Sequence, residues 1–290
     1  MPGVHWSARK ALPCPLTATV LGEILDGGQS FRWNRQADGE WLGVWGECVV
    51  RLAQPVDGTV YWRTPVAMTG FTGRALEIYL GTETALAGQI DTLPWRSDRH
   101  LAKCLETFPG LRILRQPFAE TLLCFLCSAT KQIVQIKQMT ALLAQRHGSE
   151  IAPGLHRLPT WEQLATVSEL TLRECLLGFR ARYIHQTACF LAENPGWLAA
   201  TETLPYPEAK ERLCTLPGVG EKVADCALLF GAGRLEAFPV DVWILRTMER
   251  RYGLTGWKPA QVAQFGRAHF GPLAGLAQQY LFSYERHMES

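Results

Sequence analysis

The sequence predicts an α+β protein, in which an N-terminal antiparallel β-sheet domain with a flanking helix (residues 1–99) precedes a mainly helical domain (residues 100–290). Short runs rich in β-branched and aromatic residues fill the first third of the chain, and glycine-containing turns separate them. From Thr72 onward, apolar residues recur at helical spacing instead. A chain of 290 residues is also long enough for about two domains.

Four runs predict the β domain. They are TATVLGEILDGGQSFRW (17–33), EWLGVW (40–45), ECVVRLAQ (47–54) and GTVYWRT (58–64). Asp38-Gly39, Gly46 and Asp57-Gly58 divide the runs, and this alternation is typical of an antiparallel meander.

Five further runs carry apolar residues at helical spacing and predict the first helices. They are ALEIYLGTE (75–83), HLAKCLETF (100–108), FAETLLCFLCS (118–128), QIVQIKQMTALLAQ (132–145) and VSELTLRECLLGF (167–179). Pro109-Gly110 and Pro153-Gly154 punctuate them, and the remainder of the chain is predicted to be helical almost to its end.

The composition excludes several classes of protein. Hydrophobic residues make up 47% of the chain and charged residues 19%, which indicates a globular protein and not a disordered one. A net charge of +2 gives no indication of nucleic-acid binding by itself. No apolar run approaches about 18 residues, so we expect no membrane partner.

The nine cysteines are too few and too scattered for a disulfide framework. They favour reduced, mostly buried thiols and therefore an intracellular protein, in the bacterial cytoplasm or in the nucleus of a eukaryote. Cys124 and Cys127 have CxxC spacing, but their apolar surroundings favour core cysteines over a redox or metal pair. No cysteine follows Cys226, which excludes a Cys-ligated cluster near the C-terminus.

The segment from Pro207 onward predicts two short helices joined by a glycine-rich turn. Pro207 opens PEAKERLCTL, LPGVG (216–220) breaks it, and EKVADCALLF (221–230) resumes the helical spacing. Gly218 and Gly220 supply the backbone freedom that such a turn needs, and the free amides that follow form a seat for a phosphate group. A purely structural corner is an equal alternative.

Lys222 and Asp241 are the candidate catalytic residues. Lys222 lies in the first turn of the second helix, where the positive dipole end favours a neutral, nucleophilic amine. Asp241 stands in FPVDVW, where another helix should begin. A solvated lysine and an ordinary helix N-cap are the alternatives for the two taken singly, but their conjunction favours a site.

These segments resemble the helix-hairpin-helix DNA glycosylases, and specifically the 8-oxoguanine DNA glycosylases. LPGVGEKVADC and PVDVW match the family signature, and the separation of 19 positions from Lys222 to Asp241 fits its spacing. GGQSFRW (27–33) is similar to a second signature in the family's β domain, and FRARY (179–183) and LAQQYLFS (276–283) match in the same order. The resemblance extends from about residue 18 to residue 284.

The resemblance implies a base-excision-repair glycosylase that also cleaves the strand at the resulting abasic site. Asp241 would stabilise the cationic sugar as the base leaves, and Lys222 would capture C1′ as a Schiff base that permits β-elimination. No metal and no organic cofactor are expected. The substrate would be double-stranded DNA carrying 8-oxoguanine or formamidopyrimidine-guanine.

For the extruded base, the resemblance assigns four residues. The Gly28 carbonyl would accept the N7–H that distinguishes 8-oxoguanine from guanine, Gln278 would bond the Watson–Crick edge, and Phe282 and Cys226 would cover the two faces. A simple β-turn at Gly28, core packing of Phe282 and a buried structural Cys226 are the alternatives.

On the opposite strand, the resemblance assigns Arg180 to the orphaned cytosine and Phe179 to a wedge in the gap. A surface arginine and a core phenylalanine are the alternatives. Thr130 and Gln135 depart from the family, which typically has Asn and Arg at these positions. We therefore expect weaker discrimination for cytosine opposite the lesion. Trp243 also replaces a histidine that often binds phosphate.

Two other functions compete with this interpretation. A monofunctional alkylated-purine glycosylase would share the hairpin and Asp241 but would need neither Lys222 nor GQSFRW. A non-catalytic helix-hairpin-helix protein would keep only the phosphate contacts. We expect a monomer.

Overall fold

The computed structural model describes residues 3–53 and 58–288. The strands are β1 (Lys10–Ala11), β2 (Trp33–Arg35), β3 (Trp41–Trp45), β4 (Cys48–Ala53), β5 (Tyr61–Arg63), β6 (Glu150–Ala152) and β7 (Leu155–His156). The helices are α1 (Ala18–Asp26), α2 (Thr72–Tyr79), α3 (Leu86–Thr92), α4 (Arg99–Thr107), α5 (Phe118–Leu126), α6 (Ile133–His147), α7 (Trp161–Ala165), α8 (Glu169–Leu172), α9 (Arg180–Glu193), α10 (Trp197–Thr203), α11 (Tyr206–Leu213), α12 (Glu221–Ala227), α13 (Val242–Tyr252), α14 (Pro259–Phe270) and α15 (Ala274–Met288). Short 3-10 turns lie at Val66–Met68, Pro94–Arg96 and Gly271–Leu273, and π-helical turns at Arg173–Leu177 and Leu228–Ala232.

An antiparallel sheet forms the N-terminal part, with the order β1-β5-β4-β3-β2. Trp33 of β2 pairs with Gly43 of β3. A Cβ at Gly43 would lie 2.5 Å from the Trp33 ring, so this strand needs glycine to admit the indole. The predicted fold class is therefore confirmed. The turn expected at Asp57-Gly58 includes Asp57, which lies outside the described residues.

The prediction of β structure across 17–33 was wrong over most of its length. Residues 18–26 form α1, because Thr17 caps the helix by accepting a hydrogen bond from the Val20 N–H at 3.1 Å. Its apolar side chains also lie on one buried face. The β-branched residues of this segment favour a strand, whereas the spacing of its apolar residues favours a helix. Packing against the sheet decides in favour of the helix.

The helical part follows the predicted spacing with two differences. The run 167–179 is not one helix, because α8 ends at Leu172 and a π-helical turn with a left-handed Leu176 follows it. The strands β6 and β7 form a small hairpin around Gly154, where the sequence predicts a break at Pro153-Gly154 but no strands. Within residues 3–53 and 58–288, no helix is long and apolar enough to cross a membrane.

Two large apolar clusters meet at the site described below. The first joins α1 and the sheet to the C-terminal helices, through residues such as Trp33, Phe238 and Tyr280. The second is built from the central helices and the hairpin helix α12. Cys124 and Cys127 are buried, free thiols within the second cluster, as predicted. The division of the chain at residue 99 stays a prediction.

Candidate active site

The glycine-rich turn between α11 and α12 fixes the position of Lys222. Gly218 has a φ of +77°, and a Cβ there would lie 2.6 Å from the Tyr183 ring. Gly220 is the N-cap of α12, with extended backbone angles. Lys222 is therefore the second residue of the helix, as the sequence predicts.

Two contacts hold the Lys222 amine. Its Nζ donates a hydrogen bond to Ser128 Oγ at 3.1 Å and lies 5.2 Å from the centre of the Phe125 ring. Ser128 in turn donates its hydroxyl hydrogen to the Phe125 carbonyl at 2.7 Å, which orients the hydroxyl lone pairs toward the amine. Sequence reasoning assigned no function to Ser128, since this contact spans 94 positions of the chain.

Asp241 lies at the start of a helix and also lines the cavity described below. It is the N-cap of α13, where Oδ1 accepts a hydrogen bond from the Ile244 N–H at 2.8 Å. Burial raises the pKa of the Asp241 carboxyl, while the Ile244 hydrogen bond and the Lys222 charge oppose that rise. The ordinary N-cap that competed with catalysis in the sequence is therefore present.

A small cavity of about 50 Å³ brings the predicted residues together. Its lining residues are Gly28, Phe125, Lys222, Cys226, Phe230, Pro239, Asp241, Gln278, Gln279 and Phe282. All six residues assigned to catalysis and base binding are among them. They come from the N-terminal part, from α12 and α13, and from α15, so only the tertiary fold places them side by side.

The cavity combines hydrogen-bonding groups with an aromatic wall. Gln278 is 5% exposed, and its Oε1 has no hydrogen-bond partner among the described residues. Such an oxygen, buried without a partner, costs free energy unless a ligand supplies a donor. Gly28 has a φ of +102°, and the Phe282 ring lies 3.7 Å from the position of a Gly28 Cβ. At this size the cavity holds water but no purine, so its walls must move apart before a base can enter.

Cys226 contributes a neutral thiol to the cavity wall. Burial raises the pKa of its Sγ to about 12, against the lowering influence of Lys222. It is therefore a polarizable apolar surface at neutral pH, suited to a contact with a base and unsuited to nucleophilic attack.

The GQSFRW segment anchors Gly28 to the rest of the molecule. Buried Gln29 donates from Nε2 to the Arg112 carbonyl at 3.0 Å, and its Oε1 accepts from the Leu114 N–H at 2.9 Å. The Trp33 indole donates to Tyr79 at 3.0 Å. The Gln and Trp of this motif therefore serve mainly to hold the backbone next to Gly28 through buried hydrogen bonds.

Three of the residues assigned to the opposite strand, Phe179, Arg180 and Thr130, lie close to one another, outside the cavity. Phe179 is 52% exposed, whereas Arg180 is 3% exposed. The Arg180 guanidinium donates to the carbonyls of Leu177 and Ala129 and to Thr130 Oγ1. In this structure it therefore braces two loops.

Gln135 has a local contact that the sequence comparison did not anticipate. It is exposed on α6, and its Oε1 accepts a hydrogen bond from the Gln132 N–H at 3.2 Å. This contact caps the helix. The Gln135 carboxamide must leave the cap before its oxygen can contact a base.

Comparisons with known proteins agree with this geometry. Residues 11–122 match the family described as 8-oxoguanine DNA glycosylase, N-terminal domain, and residues 123–269 match the HhH-GPD superfamily base excision DNA repair protein family. An N-glycosylase/DNA lyase, OGG1, from Arabidopsis thaliana is 33% identical over 94% of this chain and 80% of its own length. The N-glycosylase/DNA lyase of Saccharomyces cerevisiae is 30% identical over 82% of this chain and 69% of its own.

A solved structure extends the similarity to the whole fold. The Clostridium acetobutylicum 8-oxoguanine glycosylase/lyase, in complex with double-stranded DNA containing cytosine opposite 8-oxoguanine, superposes with a TM-score of 0.85. The two proteins are 29% identical, and the match covers 98% of this chain and 99% of the other.

Proposed function

The chain belongs to the 8-oxoguanine DNA glycosylase family, and from that membership and the site geometry we propose that it excises 8-oxoguanine from double-stranded DNA and then cleaves the strand. The observation that carries the proposal is the single cavity that holds the Lys222 amine, the Asp241 carboxylate and the unpartnered Gln278 amide oxygen. Neither competing function requires all three groups together.

Asp241 and Lys222 divide the chemistry. The bond between C1′ and N9 breaks with its electron pair moving to the base, and the Asp241 carboxylate stabilises the cationic sugar that remains. The Lys222 nitrogen, as a neutral amine, then forms a bond to C1′. The C1′–O4′ bond breaks with its electron pair moving to O4′, which takes up one amine proton, and the ring-opened product is a protonated Schiff base. Loss of a C2′ proton expels the 3′ phosphate by β-elimination, which cleaves the strand. Ser128 and Phe125 support these reaction steps by keeping the Lys222 amine at the cavity wall.

Base recognition follows from the lining of the cavity. The Gly28 carbonyl accepts the N7–H of 8-oxoguanine, which guanine lacks, and the absence of a side chain at Gly28 lets the base approach. Gln278 satisfies its free oxygen by accepting from the Watson–Crick edge, while Phe282 and Cys226 cover the two faces. Ring-opened formamidopyrimidine-guanine offers a similar edge and is a second expected substrate.

The base opposite the lesion is read less strictly than in relatives with Asn and Arg at positions 130 and 135. Thr130 is short, its hydroxyl is engaged by Arg180, and Gln135 is uncharged. Around these two, Phe179 fills the gap and Gly218 and Gly220 seat a phosphate of the lesion strand. Excision from lesions paired in turn with each of the four bases tests the idea, and a strong cytosine preference would overturn it.

Borohydride trapping on a duplex containing 8-oxoguanine tests the proposed function. The wild-type protein should form a covalent adduct that is lost in Lys222→Gln. Base release without an adduct would favour the monofunctional alkylated-purine glycosylase, and binding without release would favour the non-catalytic module. Asp241→Asn should form little adduct on the intact lesion, because base release is slowed.

We further propose that the protein acts as a monomer where the DNA is, in the bacterial cytoplasm or in the nucleus of a eukaryote. All the residues of the proposed site come from one chain. Sedimentation at micromolar concentration, with and without duplex, tests the oligomeric state, and a dimer in both conditions would contradict it.

A further inference from the structure

Leu176 has an unusual backbone conformation. Among the described residues, only Thr130 and Leu176 combine a side chain with a left-handed φ, of +56° and +62° respectively. That region is unfavourable for a leucine because Cβ crowds the backbone. Leu176 also lies in a π-helical turn, a feature frequent at functional sites.

The leucine side chain is not buried in the core. Leu176 is 57% exposed, while Cys175 before it and Leu177 after it are fully buried. The two buried neighbours fix the turn and leave the middle side chain directed outward. A costly conformation that presents an apolar side chain to solvent indicates a contact outside the chain.

Arg180 connects this turn to the catalytic region. Its guanidinium donates to the Leu177 carbonyl at 3.2 Å, to Thr130 Oγ1 at 3.0 Å and to the Ala129 carbonyl. Each left-handed residue is thus next to a carbonyl that Arg180 binds. The loop with Thr130 directly follows Ser128, the partner of Lys222, so both left-handed turns are braced beside the site.

The same turn continues into the surface of the hairpin. Phe179, three residues after Leu176, is 52% exposed, and its ring lies 6.1 Å from that of Tyr183. Tyr183 packs on Gly218 of the glycine-rich turn. Phe179 therefore lies beside the hairpin, and Leu176 is exposed three residues before it in the chain.

We propose that Leu176 is a second wedge, which inserts into the base stack of the opened duplex next to Phe179. The inference rests on the proposed function, because only a glycosylase that extrudes a nucleotide creates the gap. Apolar side chains enter unstacked base steps in proteins that bind the minor groove, and they need no hydrogen-bond partner there. The left-handed backbone projects the leucine, and Arg180 keeps that projection rigid.

Leu176→Gly tests the side chain without disturbing the fold, because glycine adopts the left-handed conformation without strain. We expect this variant to raise Tm by about 2–4 °C. The same variant should bind a duplex containing a tetrahydrofuran abasic analogue opposite cytosine about tenfold more weakly. Its affinity for an undamaged duplex should change little, since phosphate contacts dominate there. Fluorescence anisotropy gives both affinities.

A base analogue reports the insertion directly. With 2-aminopurine next to the abasic analogue, wild-type binding should raise the fluorescence as the stack opens, and Leu176→Gly should reduce that rise. Leu176→Met keeps an apolar side chain and should restore both readouts. Ile78→Ala, at a similarly exposed apolar residue in α2, is the matched control and should change neither.

The wedge and the proposed function fail in different experiments. If wild-type protein releases no 8-oxoguanine, the proposed function falls. If it releases the base but Leu176→Gly binds the abasic duplex as tightly as wild type, the wedge is overturned. Should Leu176→Gly lower Tm, Leu176→Ala decides by the same criterion, because it keeps the backbone and removes only the apolar end.

Discussion

Ser128 holds the amine of Lys222, the proposed nucleophile, so removal of its hydroxyl should affect strand cleavage more than base release. The hydroxyl accepts from Lys222 Nζ at 3.1 Å and is held by the Phe125 carbonyl. In Ser128→Ala the amine loses that partner, and we expect Schiff-base formation to slow about tenfold, the worth of one hydrogen bond to a charged group. Single-turnover trapping and base release are measured side by side.

The conservative variant is the control for Ser128. Ser128→Thr keeps a hydroxyl on the same Cβ and should recover most of the trapping rate. An equal loss of trapping and release in Ser128→Ala would contradict a role in placing the amine, because Asp241 and the base contacts are unchanged.

Asp241→Asn should separate stability from activity. Burial raises the Asp241 pKa, so the carboxylate destabilises the fold at pH 7, and this penalty disappears as pH falls through the raised pKa. Asparagine keeps the acceptor for the Ile244 N–H, so Tm at pH 7 should rise while base release falls by on the order of 100-fold or more. Wild-type release should also fall in acid at a pH above the ordinary Asp range.

Asp98 is also a helix N-cap, but its pKa is shifted in the opposite direction from that of Asp241. Burial would raise the pKa of its carboxyl, but hydrogen bonds from Leu101, His269 and Tyr252 outweigh that effect and lower the pKa. Asp98→Asn should therefore reduce Tm at pH 7 and lose that effect in acid. If Asp241→Asn lowers Tm as Asp98→Asn does, the charge of Asp241 does not destabilise the folded state and the prediction is wrong.

At the level of elements, two glycines in one turn should respond differently to the same methyl group. Gly218 has a φ of +77° and no room for a Cβ beside Tyr183, so Gly218→Ala should lower Tm. Gly220 has extended angles and open space around it, so Gly220→Ala should leave Tm unchanged. DNA binding should weaken in both, because a methyl at the start of α12 obstructs the phosphate.

Thermal melts and anisotropy on an undamaged duplex check the pair. Unchanged DNA affinity in Gly220→Ala would show that the turn is only a structural corner, the alternative that the sequence left open. A fall in Tm for Gly220→Ala would instead mean that the turn relies on its backbone freedom at both glycines.

Elements differ in how far the sequence predicted them. The hairpin and the change of period at Thr72 were foreseen, because glycine placement and apolar spacing are local. Helix α1 was missed because its branched residues fit either structure, and the left-handed turn at Leu176 was missed because buried neighbours and Arg180 impose it. The order of the motifs predicted that Gly28, Lys222 and Asp241 share one site, and all three line one cavity. The contact between Ser128 and Lys222 depends on the tertiary fold alone, so the sequence did not predict it.

On the scale of the whole molecule, the site depends on joining distant parts of the chain. One apolar cluster unites the N-terminal sheet with the C-terminal helices, and the cavity takes Gly28 from the first part and Gln278 from the last. Gln29, adjacent to Gly28, is hydrogen-bonded to the backbone of Arg112 and Leu114. A change that removes the Gln29 hydrogen bonds is therefore expected to alter both the geometry of base recognition and the global stability.

Gln29→Ala should show this coupling. It leaves the buried Arg112 carbonyl and Leu114 N–H without partners, which we expect to cost about 2–4 kcal/mol of unfolding free energy. The Gly28 carbonyl should also lose its fixed position, so discrimination between 8-oxoguanine and guanine should fall in protein that is still folded. Chemical denaturation and paired excision assays below Tm measure the two effects. Gln36→Ala removes only an exposed contact to the Asn34 carbonyl and should change neither. A loss of stability with discrimination intact would mean that Gly28 is held by its own turn and not through Gln29.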